Sequence, residues 1–155
     1  LLLRSSPDAV TTMIDYYGLP RDFPGMATLP PHGSCFDRVA HLDEAFAGDI
    51  ADTRFVPGLV LHEFEGLLFS TPRVITEVLE NESPLKRLEA IVARHGSPEE
   101  INDSPQTHPS RRITDLYPTY RKALHGPQIA LRIGLDAIRT RCRHFAAWLA
   151  RLEAL

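Results

Sequence analysis

His62, Glu63 and Glu65 lie between two apolar runs, Leu59-Val60-Leu61 before them and Leu67-Leu68-Phe69 after them. Ionisable groups hemmed in by hydrophobic chain are costly if they are buried without partners. A short apolar run between breakers reads as a buried strand, and the run that follows reads as a helix. In open α/β sheets, ligands bind at the carboxyl ends of strands. One expectation for Glu63 and Glu65 is therefore a metal-binding or acid/base site. The other is that both simply point into solvent at a strand-to-helix turn. Asp15 stands in a similar place, ending the stretch Ala9-Val10-Thr11-Thr12-Met13-Ile14 and preceding Tyr16-Tyr17-Gly18. It reads either as a strand-end ligand or as ordinary turn chemistry.

Carboxylates without cysteine suit Mg²⁺ or Mn²⁺. Such ions, singly or in pairs, clamp the attacking and leaving oxygens in phosphodiester cleavage. Other chemistries drop out. The zinc-protease pattern would need a second histidine where this chain has Gly66. There is no glycine-rich phosphate loop, and no serine or cysteine has a nearby base in the sequence. Arg111 and Arg112 could hold a phosphate in bidentate fashion, or could form the solvated start of a helix.

The elements that must position these groups follow from periodicity and punctuation. A strand over 9–14 leads into a Pro- and Gly-rich loop over 18–34, too broken for regular structure. A helix over 36–50 follows, with Phe36, Val39, Ala40, Leu42, Ala45 and Phe46 on its apolar face and Asp37, Arg38, Asp43 and Glu44 on the other. Strand, helix, strand is a crossover unit, which favours parallel pairing. Asp15 and at least one of Glu63 and Glu65 are then expected to face a common cleft bordered by the 18–34 loop, with Lys122 or an arginine from 111–112 offsetting the charge. Beyond residue 70 the chain reads as helical. Thr71-Pro72 and Ser83-Pro84 look like helix starts, and Ser97-Pro98-Glu99-Glu100 like a capping box. Gly126-Pro127 reads as a turn. From Leu135 to Leu155 a stripe of Leu135, Ile138, Cys142, Phe145, Leu149 and Leu152 marks an amphipathic segment. Cys142 is core filling there, Trp148 lies beside the stripe or at an interface, and Arg139, Arg141, Arg143 and Arg151 form a basic outer side.

The totals set bounds. At 155 residues and 43% hydrophobic, the chain can build one domain with a sizeable core. A net charge of −3 excludes the overall basic footprint of a simple DNA-binding module, though not a local patch. Cys35 and Cys142 make neither a disulfide framework nor a four-ligand zinc site, and fit a cytoplasmic setting. No membrane-length apolar run or signal-peptide pattern is present. The opening Leu-Leu-Leu-Arg-Ser-Ser-Pro-Asp-Ala reads as the last turn of a helix and a turn, so the sequence is expected to begin partway into a domain.

The blocks TTMIDYYGLPRDFPG, LHEFEGLLF, INDSPQTHPSRRI, KALHGPQIALRIGL and CRHFAAWLARLEAL, in that order, resemble a bacterial family of unknown function, DUF 4276. The resemblance implies a Toprim-like α/β fold, a parallel sheet flanked by helices. It would occupy residues 1–70, with a helical C-terminal part over 71–155 packed on the same domain. It also implies kinship with the nuclease half of overcoming-lysogenisation-defect proteins. Toprim domains hold their metal with a glutamate after the first strand, which would precede this chain, and with an Asp-x-Asp. Asp15 matches the first Asp, but Tyr17 stands in place of the second. Glu63 or Glu65 would then replace the missing ligand, and a Phe-Glu before an apolar helix in related defence proteins favours Glu65. Lys122, Arg111 and Arg112 match basic family positions and would hold a scissile phosphate. The implied function is a metal-dependent nuclease or nucleic-acid-processing domain, using Mg²⁺ or Mn²⁺ and acting in phage defence with an AAA/ABC-type ATPase. The alternative is a non-catalytic partner of that ATPase, in which the acids are structural and His62 and Glu63 hydrogen-bond loop backbone. A third expectation, an enzyme for a small phosphorylated substrate, predicts a closed pocket under the 18–34 loop.

Overall fold

A computed structural model describes residues 8–102 and 107–155. The expected opening helix turn lies outside them. The chain forms two compact bodies. One takes in the chain up to Leu61 together with Ala147–Leu155, and the other is His62–Ala146.

The first body is built on a parallel pair of strand segments. β1 (Val10–Thr11) pairs with β3 (Phe55–Val56), and β2 (Ile14–Asp15) pairs with β4 (Leu59–Val60). The offset is the same in both, so this is one ribbon with a break. The break falls where Gly58 N turns to the Thr12 side chain. The Thr12 hydroxyl patches the gap, accepting from Gly58 N at 3.0 Å and donating to Gly58 O at 3.3 Å. The parallel pairing expected from the crossover is thus present, in strands of only two residues each.

The crossover is α1 (Cys35–Ile50), started by a capping box in which Ser34 and Asp37 satisfy each other's backbone amides. Its Val39 and Leu42 pack with Leu59 and Leu61, and Phe46 meets Phe23 and Phe55 at centroid distances of 5.0 and 4.9 Å. The 18–34 loop folds onto this cluster through Leu19, Phe23, Met26 and Leu29, and contains one 3₁₀ turn, Met26–Thr28. Asp43 departs from expectation. It is buried, not on the outer face, and accepts the Leu59 N–H at 3.2 Å. The helical period places it outside, but the buried Leu59 amide on the open side of β4 needs an acceptor.

Trp148 also belongs to this body. Its indole N–H donates to the Thr11 hydroxyl at 2.9 Å, and a side chain at Gly58 would collide with the indole and with the Thr12 carbonyl.

The second body is helical: α2 (Glu65–Leu68), α3 (Pro72–Val78), α4 (Leu85–Ala93), α5 (Pro109–Leu116), α6 (Lys122–Ile133), α7 (Leu135–Arg141) and the start of α8 (Arg143–Glu153). Its core gathers Leu68, Phe69, Ile75, Leu88, Ile101, Ile113, Tyr117, Tyr120 and Ile129. Every residue of α2 is buried, so this single turn is the centre of the body.

Four local expectations are corrected here. Gly126-Pro127 is no turn, since α6 runs through it, with Gly126 buried against the Phe64 ring and the Tyr120 hydroxyl. Pro84 is the N-cap of α4 and not its first residue. Ser97 does accept from Glu99 N at 3.1 Å, but its helix is one 3₁₀ turn, Pro98–Glu100, and Glu99 turns away to α8. The amphipathic stripe of 135–155 is likewise two helices, broken at Cys142, where the backbone is extended. Cys142 itself is fully buried as core, and burial pushes its thiol up to about 12.

Candidate functional site

The site is assembled where the chain leaves β4. His62 takes a left-handed φ of 62°, a conformation uncommon outside glycine and concentrated at functional corners. That corner lets Glu63 and Glu65 turn into the second body instead of continuing outward. Both are buried, at 5% and 3% exposure. The solvent-facing alternative therefore fails for both. His62 Nδ1 lies 3.1 Å from the Asn102 amide nitrogen.

Glu63 is held by the start of α5. Its Oε2 accepts Ser110 N at 2.9 Å and faces His108 Nδ1 at 3.1 Å. Its Oε1 accepts the Ser110 hydroxyl at 3.1 Å and the Lys122 ammonium at 3.1 Å. A carboxylate at a helix N-terminus satisfies open amides and the positive end of the dipole. Burial alone would push Glu63 up, but the Ser110 donors and Lys122 together hold it below the ordinary carboxylate range. The same His108 Nδ1 accepts the Arg111 N–H at 3.4 Å and so caps the start of α5.

Ser110 and His108 do not form a nucleophile and base. A relay histidine meets the hydroxyl with one ring nitrogen and the acid with the other. Here Nδ1 faces both, the hydroxyl at 3.0 Å and Glu63 at 3.1 Å.

Glu65 is held differently. The Tyr120 hydroxyl donates to Oε1 at 3.2 Å, and the Lys122 ammonium stands 3.5 Å from Oε2. Burial pushes Glu65 above the ordinary range; Lys122 pulls against that, and the neighbouring Glu63 charge adds to the rise. Tyr120 is driven far up by burial and by both glutamates, so it stays a donor. Lys122 is the outer face of the cluster, with its side chain 55% exposed. Burial of its inner part lowers it, but Glu65 and Glu63 outweigh that and keep it charged. Two buried acids thus share one half-exposed cation.

The sequence-derived residues divide as follows. Glu63, Glu65 and Lys122 come together. Arg111 pairs with Asp115 on its own helix at 2.9 Å, and Arg112 Nε donates to the Thr107 carbonyl. Asp15 closes β2 in the other body. His108, Ser110 and Tyr120 went unnoticed as site residues, although the first two sit beside Arg111 in the block His-Pro-Ser-Arg-Arg. Neither body has, among its described residues, a group of three or more His, Cys, Asp or Glu arranged to hold a metal. No helix among the described residues is long and apolar enough to cross a membrane.

No curated protein and no solved structure gives a match to this chain. The family model for the domain of unknown function DUF4276 matches residues 1–153, and the chain belongs to that family.

Proposed function

We propose that this chain is a Toprim-like domain that processes nucleic-acid phosphodiesters with Mg²⁺ or Mn²⁺, and that Glu65 and Lys122 are its working pair. The observation that carries this is the half-exposed Lys122 ammonium standing 3.5 Å from the buried Glu65. Lys122 can turn from the glutamates to a scissile phosphate oxygen without unfolding anything. Glu63 cannot serve as a ligand without releasing Ser110 or Lys122, so its work is to brace α5 and the lysine.

The donor set fits a magnesium-like ion in part. Such ions are commonly held by one or two carboxylates, with waters and substrate phosphates completing the shell, and Glu65 offers one carboxylate. When bound, the ion would stabilise charge on the attacking and leaving oxygens. Asp15 stays a candidate ligand on its strand-end position alone. The test is nicking of supercoiled plasmid by the full-length protein in Mg²⁺ or Mn²⁺, with and without an AAA/ABC-type ATPase partner. Glu65→Gln, Lys122→Ala and Asp15→Ala are expected to abolish nicking; Glu65→Gln and Asp15→Ala should melt close to the parent, whereas Lys122→Ala, which leaves two buried acids without their cation, should melt lower. Variants of Glu65 and Lys122 that cut as well as the parent would sink the assignment.

A second reading has its own support. Glu63 accepts three protein donors, the Ser110 N–H and hydroxyl and the Lys122 ammonium, one of them backbone at the start of α5, as a purely structural acid would. Under it the chain is a non-catalytic partner of the ATPase in phage defence. Calorimetry showing no Mn²⁺ uptake, together with a large fall in melting temperature for Glu65→Ala, would favour this reading.

A further inference from the structure

Arg87, Ala90, Ile91 and Arg94 are spaced by threes and fours, which puts them on one face of α4. Together with Arg112 and Leu116 of α5 they line a cavity of about 320 Å³ inside the second body. That is the lower end of the size range of ligand pockets, about 300–1,000 Å³.

Two arginines elsewhere in the body meet carboxylates, Arg132 with Glu77 at 2.9 Å and Arg111 with Asp115 at 2.9 Å. Arg87 and Arg94 make no ion pair with any described residue. Asp115 also lines the cavity, but Arg111 already neutralises it. Arg112 is fixed at one edge by the bond from its Nε to the Thr107 carbonyl, which is another part of the wall. Like charges drawn around a concavity raise the local concentration of anions. Guanidinium groups match phosphate oxygens in paired hydrogen bonds, and the apolar part of the wall suits a base or sugar.

We propose that the cavity between α4 and α5 binds the phosphate of a nucleotide, free or within a single strand. Arg87, Arg94 and Arg112 take the phosphate oxygens, and Ile91 and Leu116 meet the base or sugar. The cavity shares no residue with the Glu63–Glu65–Lys122 cluster. Its test reads binding and not cleavage, so it stands or falls apart from the proposed nuclease activity.

The experiment is fluorescence anisotropy on the full-length protein at fixed low salt. The two probes, used separately, are a labelled adenosine triphosphate and a labelled oligothymidylate. Arg87→Ala and Arg94→Ala are expected to weaken binding about tenfold each, the loss of one charged hydrogen-bonding partner. Unlabelled pyrophosphate should compete. Lys86→Ala removes the same charge from another face of α4 and should change little. Both arginines are exposed, so the variants are expected to melt like the parent. Binding of the free nucleotide identifies a small ligand, and binding of the strand alone identifies a nucleic-acid track; each supports the site. Failure of both probes to bind, or an equal loss with Lys86→Ala, overturns it.

Discussion

Glu65 and Glu99 are buried equally, each 3% exposed, and burial pushes both above the ordinary carboxylate range. Their partners differ. Glu99 takes the backbone N–H groups of His144 and Phe145 at 3.0 and 2.9 Å, closing the open amides at the start of α8. Glu65 takes a phenol, a half-exposed ammonium and, of backbone groups, only its own N–H. Backbone amides cannot leave without unravelling a helix, whereas a lysine head can swing to a ligand. Burial and a displaced proton affinity therefore do not by themselves mark a working acid. What marks it is whether its partners can be exchanged. By that criterion Glu63, anchored on Ser110 N, belongs with Glu99.

The contrast can be broken by mutation. The largest effect is expected for Glu63→Ala, which strands Ser110 and Lys122 together. A loss of about 3 kcal/mol in urea unfolding is expected, the low end for a broken buried pair because Lys122 is partly solvated. Glu99→Ala comes next, at about 2 kcal/mol for a lost helix cap in a buried setting. Amide exchange should quicken at His144 and Phe145 in that variant and stay slow around α2.

The smallest and most informative change is Glu65→Gln. A glutamate raised in the folded state adds stability that is full below its unfolded value, near 4.5, and that is lost as pH rises through the folded value. Glu63, lowered, behaves oppositely: its contribution is present above 4.5 and is lost as pH falls. Glu65→Gln should thus flatten the decline above pH 4.5 and gain up to about 1 kcal/mol at neutral pH. If it cost as much as Glu63→Ala, Glu65 would be a strut like Glu99.

Much of this was legible in the chain. The apolar face of Phe36, Val39, Leu42 and Phe46 announced α1, and the crossover announced the parallel pairing. Acids between apolar runs announced the site, and Lys122 came with the family blocks. What stayed hidden depends on distant partners. Ser110 meets Glu63 across 47 residues, and no local pattern signals that a serine will serve another segment's carboxylate. Asp43 looked external because a helical period cannot see an amide waiting on a neighbouring strand. The break at Cys142 was invisible because the stripe stays in phase across it. Gly126-Pro127 looked like a turn because breakers act locally, while α6 is held by packing against Phe64 and Tyr120.

The contact of Trp148 with Thr11 joins residues 137 apart in sequence, and it has a consequence for the order of events during synthesis. Chains emerge from the ribosome beginning at the N-terminus and fold unit by unit. The His62–Ala146 body is continuous and can close as soon as it has emerged. The strand ribbon, although made before that body, waits for α8 to lay an indole over Gly58. A segment made earlier is therefore completed later and stays open to proteases and chaperones meanwhile. A chain ended after Ala146 is expected to keep slow amide exchange in the helical body and lose it along Val10–Asp15 and Phe55–Val60.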